Sequence, residues 1–264
     1  MKKMVLLLSI AIGFLDVSAQ TGEKGALVLH FNHVSGKSRL LLDTLCYKNV
    51  YQETFKVTLF QYYISNIRLL KSDGSEFVVP QDSSYFLIKE NDSRSKVINL
   101  SSIPVGNYIG ISFLVGVDSL RNTMDLNRRN GCLDVGRQAR DMYWAWNSGY
   151  IFLKLEGKFQ QADKDEYTKE TPFSYHIGMF GGRKTKTINN LRKVNIPFKE
   201  MLLKVDGKHT KQINLEVDIL KIWDGVNRIS FAKYPIVSMH PFSLCISENY
   251  TSMFRLTHIS DSRK

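Results

Sequence analysis

Apolar and polar side chains alternate at every second position through most of this chain, which is the period of a half-buried strand and not of a helix. Leu27, Leu29, Phe31 and His33 share one face of the first such run. Phe55, Val57, Leu59, Tyr63, Ile67 and Leu69 share a face of the second, and Ile109, Ile111, Phe113, Val115 and Val117 a face of the third. Late in the chain Ile213, Leu215, Val217 and Ile219 repeat the pattern, with Gln212, Asn214, Glu216 and Asp218 turned to water. Strands apolar on one side only need a second sheet to cover them, so the pattern predicts an all-β fold, a β-sandwich with long loops. Turn chemistry at Ser72–Ser75, Pro104–Asn107, Asp206–Lys208 and Asp224–Gly225 falls between the runs. The tail, Phe242 to Ile259, reads as a short C-terminal helix followed by a strand.

Residues 1–19 stand outside this pattern. Lys2 and Lys3, an apolar run from Met4 to Leu15 and then Val17-Ser18-Ala19 make a signal-peptide sequence, too short in its apolar part for a stable membrane-spanning helix. Cleavage near Ala19 is expected, with export to the periplasm or beyond and no cysteine there to carry a lipid. No other long apolar stretch occurs, so no transmembrane segment is expected in the mature chain. Residues 20–264 suit a single β-sandwich domain. Loss of residues 1–19 lowers the formal charge from +11 only to +10. The lysines and arginines are spread along the chain, which suits solubility and anionic partners better than nucleic acid.

Cys46, Cys132 and Cys245 make an odd number for an oxidising compartment, and one disulfide plus one spare thiol is the simplest account. No pair has CxxC spacing, which argues against a thiolate zinc site. Catalytic signatures are absent: there is no GxSxG elbow, no phosphate loop around Gly178, Gly181 and Gly182, and no spacing that recommends a carboxylate pair. The chain therefore reads as a non-enzyme. Two stretches lack strand pattern: Asp118 to Asp141, long enough to be functional or mobile, and the charged Gln160 to Glu170, which reads as an exposed loop.

Asp118–Asp141 feeds into Met142–Gly157, MYWAWNSGYIFLKLEG, whose second half is ordinary strand. Its first half holds Trp144 and Trp146, on one face if extended, and more aromatic area than a surface loop has physical reason to carry. Stacking in the core is one reading of the pair, and a ligand-facing or redox role the other. Among the histidines, His30 and His33 point to opposite strand faces and cannot chelate one ion together. His33 shares the apolar face near the strand's end, as a buried histidine or a ligand. His176 precedes a glycine-rich turn, where strand ends present side chains to a sandwich rim.

Taken in order, LHFNHVSG (29–36), LFQYYISNIRLLKSDG (59–74), SFLVGVDSLRN (112–122), MYWAWNSGYIFLKLEG (142–157), FSYHIG (173–178) and ISENYTSMF (246–254) resemble the MbnP-like family of exported copper-associated proteins. The resemblance covers most of the mature chain and implies a single β-sandwich that binds copper through histidines. It makes His33 and His176 the candidate metal ligands. It makes Trp144 or Trp146 the candidate for oxidation to kynurenine by a dihaem cytochrome c peroxidase-like partner, the product then joining the copper site. The chain departs from the pattern at Tyr85-Phe86-Leu87, where the family often carries a histidine at the middle position. That departure keeps a second function in play, a structural or interaction module of the same fold that has lost its metal.

Overall fold

The computed structural model describes residues 22–44, 46–145, 149–161 and 169–261. The expected signal segment 1–19, Trp146 and most of the charged Gln160–Glu170 stretch lie outside the described residues. Ten strands carry the architecture: β1 (Lys24–Ser35), β2 (Thr54–Lys71), β3 (Tyr85–Lys89), β4 (Val97–Pro104), β5 (Gly106–Val115), β6 (Gly149–Gln161), β7 (Lys169–Gly178), β8 (Arg192–Pro197), β9 (Lys211–Asp218) and β10 (Phe254–Asp261). The ends of β6 and β7 reach into the segment expected to be a loop.

Two sheets face each other. The smaller orders β10-β9-β1, with β4 on the other edge of β1; the larger orders β8-β5-β2-β6-β7, with β3 also paired to β2. The sandwich expected from the alternation is present. Its core lies between the sheets, where Phe31 of β1 meets Phe113 of β5 at 6.3 Å and Phe113 meets Phe254 of β10 at 5.1 Å, both edge to face. Such geometry suits the quadrupoles of the rings. A short helix, Ser243–Asn249, precedes β10, as the tail predicted.

The register differs from strict alternation at defined places. Along β2, Phe55 and Val57 face the core, then a bulge opposite Glu156–Gly157 shifts the phase and Phe60, Tyr62 and Ile64 take over. A second irregularity at Ser65–Arg68, with Asn66 at φ 54°, restores the inward phase for Ile67 and Leu69. Leu59 is therefore only half-buried, and Tyr63 faces away from the core. A bulge in β5 likewise buries Tyr108 and leaves Ile109 37% exposed. An extra residue flips the face of every side chain beyond it.

That flip builds a second apolar cluster, on the outer face of the larger sheet. Tyr63, Val117, Tyr150 and Phe152 form its floor, and Leu133, Ala139, Met142 and Trp144 from the 118–144 stretch cover it. The long segment without strand pattern is thus a lid of short helical turns. Asp118 starts it by accepting a hydrogen bond from the Arg121 backbone N–H at 3.1 Å, an N-cap. Its carboxylate also accepts from the Tyr85 hydroxyl and from Asn66, each at 2.6 Å.

The cysteines correct one expectation: Cys46, Cys132 and Cys245 are all free thiols. Cys132 packs in the outer cluster, donates to the Tyr85 carbonyl at 3.2 Å, and burial pushes its thiol up to about 12. Cys245 packs against the main core and Cys46 is exposed. No helix among the described residues is long and apolar enough to cross a membrane.

Candidate metal and aromatic site

The two candidate histidines are separated by the larger sheet: His33 reaches toward its inner face from the smaller sheet, and His176 stands on its outer face. His33 projects from β1 into the space between the sheets, 4% exposed, with Phe60 at 5.0 Å and Tyr62 at 5.6 Å between ring centroids. Both of its nitrogens are engaged: Nδ1 with Glu90 Oε2 at 2.7 Å and Nε2 with the Tyr62 hydroxyl at 3.0 Å. Lys96 Nζ donates to the same Glu90 oxygen at 2.8 Å. Burial pushes the His33 imidazole below its ordinary value, against the upward pull of Glu90. Burial also pushes the Glu90 carboxyl up, but the hydrogen bonds from His33 and Lys96 outweigh it and hold the group below its ordinary range. The network ties β1 of one sheet to β2 and the end of β3 in the other.

His176 belongs to β7, where its neighbours Tyr175 and Ile177 are fully buried in the core, so its own side chain stands on the outer face. Across the β6–β7 pairing, Lys154 is opposite His176 and Glu156 opposite Ser174. His176 Nε2 meets Glu156 Oε1 at 2.7 Å and Ser174 Oγ at 3.0 Å. Both contacts fall on Nε2, which leaves Nδ1 as the nitrogen open to a ligand among the described residues. Desolvation lowers the His176 pKa, with Lys154 adding to the effect and Glu156 opposing it. A neutral imidazole is the form that binds a metal.

Trp144 lies on the same outer face, 8% exposed. It pairs with Gly149 at the start of β6, and its ring covers Gly178 so closely that a Cβ there would fall 2.7 Å from Cζ3 and 3.0 Å from Cη2. Gly178 is two residues beyond His176, so the two positions share one face of β7, about 7 Å apart along the strand. The glycine of Tyr-His-Ile-Gly is there because the indole and the Tyr150 carbonyl occupy the space of a side chain.

Sequence reasoning overlooked the groups around this pair. Met142, Met179 and Met239 all belong to or pack against the cluster that holds Trp144. Thioethers and imidazole are the donor types that suit Cu(I). Glu156, in the half of its segment that reads as ordinary strand, orients His176. Its role is legible only once the β6–β7 register is known. Among the described residues no three His, Cys, Asp or Glu side chains converge in a group that could hold a metal ion. Phe86, at the position of the expected family histidine, pairs with Ile64 and packs half-buried against the main core.

No curated protein matches the chain. Among solved structures, MbnP from Methylosinus trichosporium is similar over 83% of this chain and 82% of its own, at 15% identity and a TM-score of 0.55. Likeness at that identity shows a shared fold. The profile of the MbnP family matches residues 24–240, from the first residue of β1 to just short of the terminal helix, and includes both histidines and the Trp144 segment. The chain belongs to the MbnP family.

Proposed function

We propose that the protein is an exported, periplasmic and non-enzymatic copper-handling member of its family, with copper held on the outer face of the larger sheet beside Trp144. His176 is the imidazole ligand in this reading, and His33 is a structural link between the sheets. The observation that carries the reading is the packing of the Trp144 ring over Gly178, two positions along the same strand face from His176, in a cluster that Met142 belongs to and Met179 and Met239 pack against. That donor set suits a soft cation, and Glu156 on Nε2 fixes the ring as outer partners of metal-bound histidines do. Trp144 and Trp146 remain the candidates for oxidation by a dihaem cytochrome c peroxidase-like partner. The intact mass of peptide 142–157 after exposure to that partner reads out the change.

Titration of the mature chain with Cu(I) and Cu(II) tests the reading. Near-stoichiometric binding, lost in His176→Ala and retained in His33→Gln, is the expected result. Binding that is absent, or unchanged in His176→Ala, refutes it. The second reading, an interaction module without metal, draws on the packing of Phe86 in the core and on the separation of the two histidines. It predicts that copper leaves thermal stability unchanged, whereas a native-state ligand must raise it by mass action.

A further inference from the structure

The lid contains a charge that the metal reading does not use. Arg129 is 6% exposed, so its guanidinium is almost wholly shielded from solvent. Nε donates to the Met124 carbonyl at 3.1 Å, and Nη2 to the carbonyls of Asn122 at 2.9 Å and Met124 at 2.8 Å. The cation lies 5.3 Å from the Tyr143 ring centre and 5.2 Å from that of Tyr150. These are carbonyl and ring partners, not a counter-ion, and Nη1 is buried with no hydrogen-bond partner. Burying a charge without an opposite charge is costly, and proteins ordinarily pair it.

Arg129 lines a cavity of about 210 Å³ that also contacts Arg121 and Arg128. The single carboxylate on its wall is Asp82, which is committed to Arg121. Tyr85 adds no free donor, because its hydroxyl is bonded to Asp118. The wall is therefore a concave surface with an excess of guanidinium charge, the arrangement that recognises oxyanions. A space of that size holds several waters and has room for phosphate or a short carboxylate.

We propose that this cavity beneath the 118–141 lid binds a small free oxyanion, phosphate or a short carboxylate, with Arg129 as the central charge and Arg121 and Arg128 at the rim. The anion supplies the counter-charge that Arg129 lacks and fastens the lid to the outer face of the sheet. Nothing in this site depends on copper or on His176.

The test is the thermal midpoint of the metal-free full chain titrated with inorganic phosphate and, separately, with acetate, chloride being exchanged to hold ionic strength constant. A saturable rise is expected, about 5–10 °C at concentrations near 100 times the dissociation constant. The stronger of the two anions identifies the class. Arg129→Met keeps the aliphatic reach against Tyr143 and Tyr150 and is expected to weaken binding at least tenfold. If that variant does not fold, Arg121→Gln/Arg128→Gln decides, with at least threefold weaker binding expected. No saturable rise with either anion overturns the proposal. So does unchanged affinity in the decisive variant.

Discussion

Replacing Gly178 by alanine puts one methyl group between the two features that define the outer face. The added Cβ would stand 2.5 Å from the Tyr150 carbonyl oxygen and 2.7 Å from Trp144 Cζ3. Contacts below 3.0 Å force something to move. The oxygen is backbone in β6, directly beside the Ile151–Gly178 pairing, so it cannot swing aside as a flexible side-chain tip would. Overpacking of this kind costs about 1–3 kcal/mol, and the backbone component places this case in the upper half of that range. In a domain of this size about 2 kcal/mol lowers the thermal midpoint by roughly 4–8 °C. Urea unfolding gives the free energy, and the double variant Gly178→Ala/Trp144→Leu apportions it. The ring's share returns as a favourable coupling term, while the carbonyl's share remains. A Gly178→Ala protein within about 0.5 kcal/mol of the parent would refute the packing of Trp144 over this strand.

His33→Gln should destabilise the protein by about 2–4 kcal/mol, because it strands the Tyr62 hydroxyl and weakens a buried Glu90–Lys96 pair. Urea unfolding measures that loss, and copper stoichiometry should not change with it. Acid should destabilise the chain in two stages, read as urea midpoints from neutral pH downward. His33 is held below its ordinary 6.5 by burial, so below that pH the unfolded chain takes up a proton the fold refuses, and stability falls. Glu90 and Glu53 are held below 4.5 by their hydrogen bonds, Glu53 by Ser230, Asn49 and the backbone of Phe231 and Ala232; stability falls again as pH drops below 4.5 toward their folded values. His33→Gln should flatten the first stage in part, since His176 is also lowered by burial, and should shrink the Glu90 share of the second while leaving the Glu53 share. Glu156→Gln should change stability by less than about 0.5 kcal/mol, since the side chain is partly exposed, yet weaken copper binding about 10- to 100-fold in direct titration.

Legibility of the fold followed the physics of each signal. Alternation located the core faces of β1 and β9, because those strands run without interruption, but Asn214 of β9, expected to face water, is buried on the other face. It misassigned Leu59, Tyr63 and Ile109, because bulges in β2 and β5 insert a residue and reverse the phase, and nothing in the local residue types marks the insertion. The aromatic excess at Met142–Tyr150 did signal an unusual place: Met142 and Trp144 cover a second cluster and Tyr150 lies in its floor. An odd cysteine count suggested a disulfide, but pairing depends on distance, and the three thiols lie in separate environments. The partners of the histidines could not be read at all. Glu90 is 57 positions from His33 and Glu156 is 20 from His176, and only strand register brings them together.

The separation of the two histidines follows from the parity of their strands. His33 shares a face with Leu27, Leu29 and Phe31, all buried between the sheets, and His176 alternates with Tyr175 and Ile177, which are buried there too. Bringing His176 to the inner face would take a one-residue slip of β7, which would expel Tyr175 and Ile177 from the core and break ten register pairs with β6. Moving His33 outward would expel Phe31 in the same way and strand Glu90 without its imidazole. Each movement removes large apolar side chains from the core, at about 1.5–3 kcal/mol apiece, and breaks strand pairing as well. A metal held by this fold is therefore built from one face alone. Among the described residues, the outer face carries an imidazole whose Nδ1 has no hydrogen-bond partner, and on that same face polarizable sulfur and an indole ring pack in one cluster.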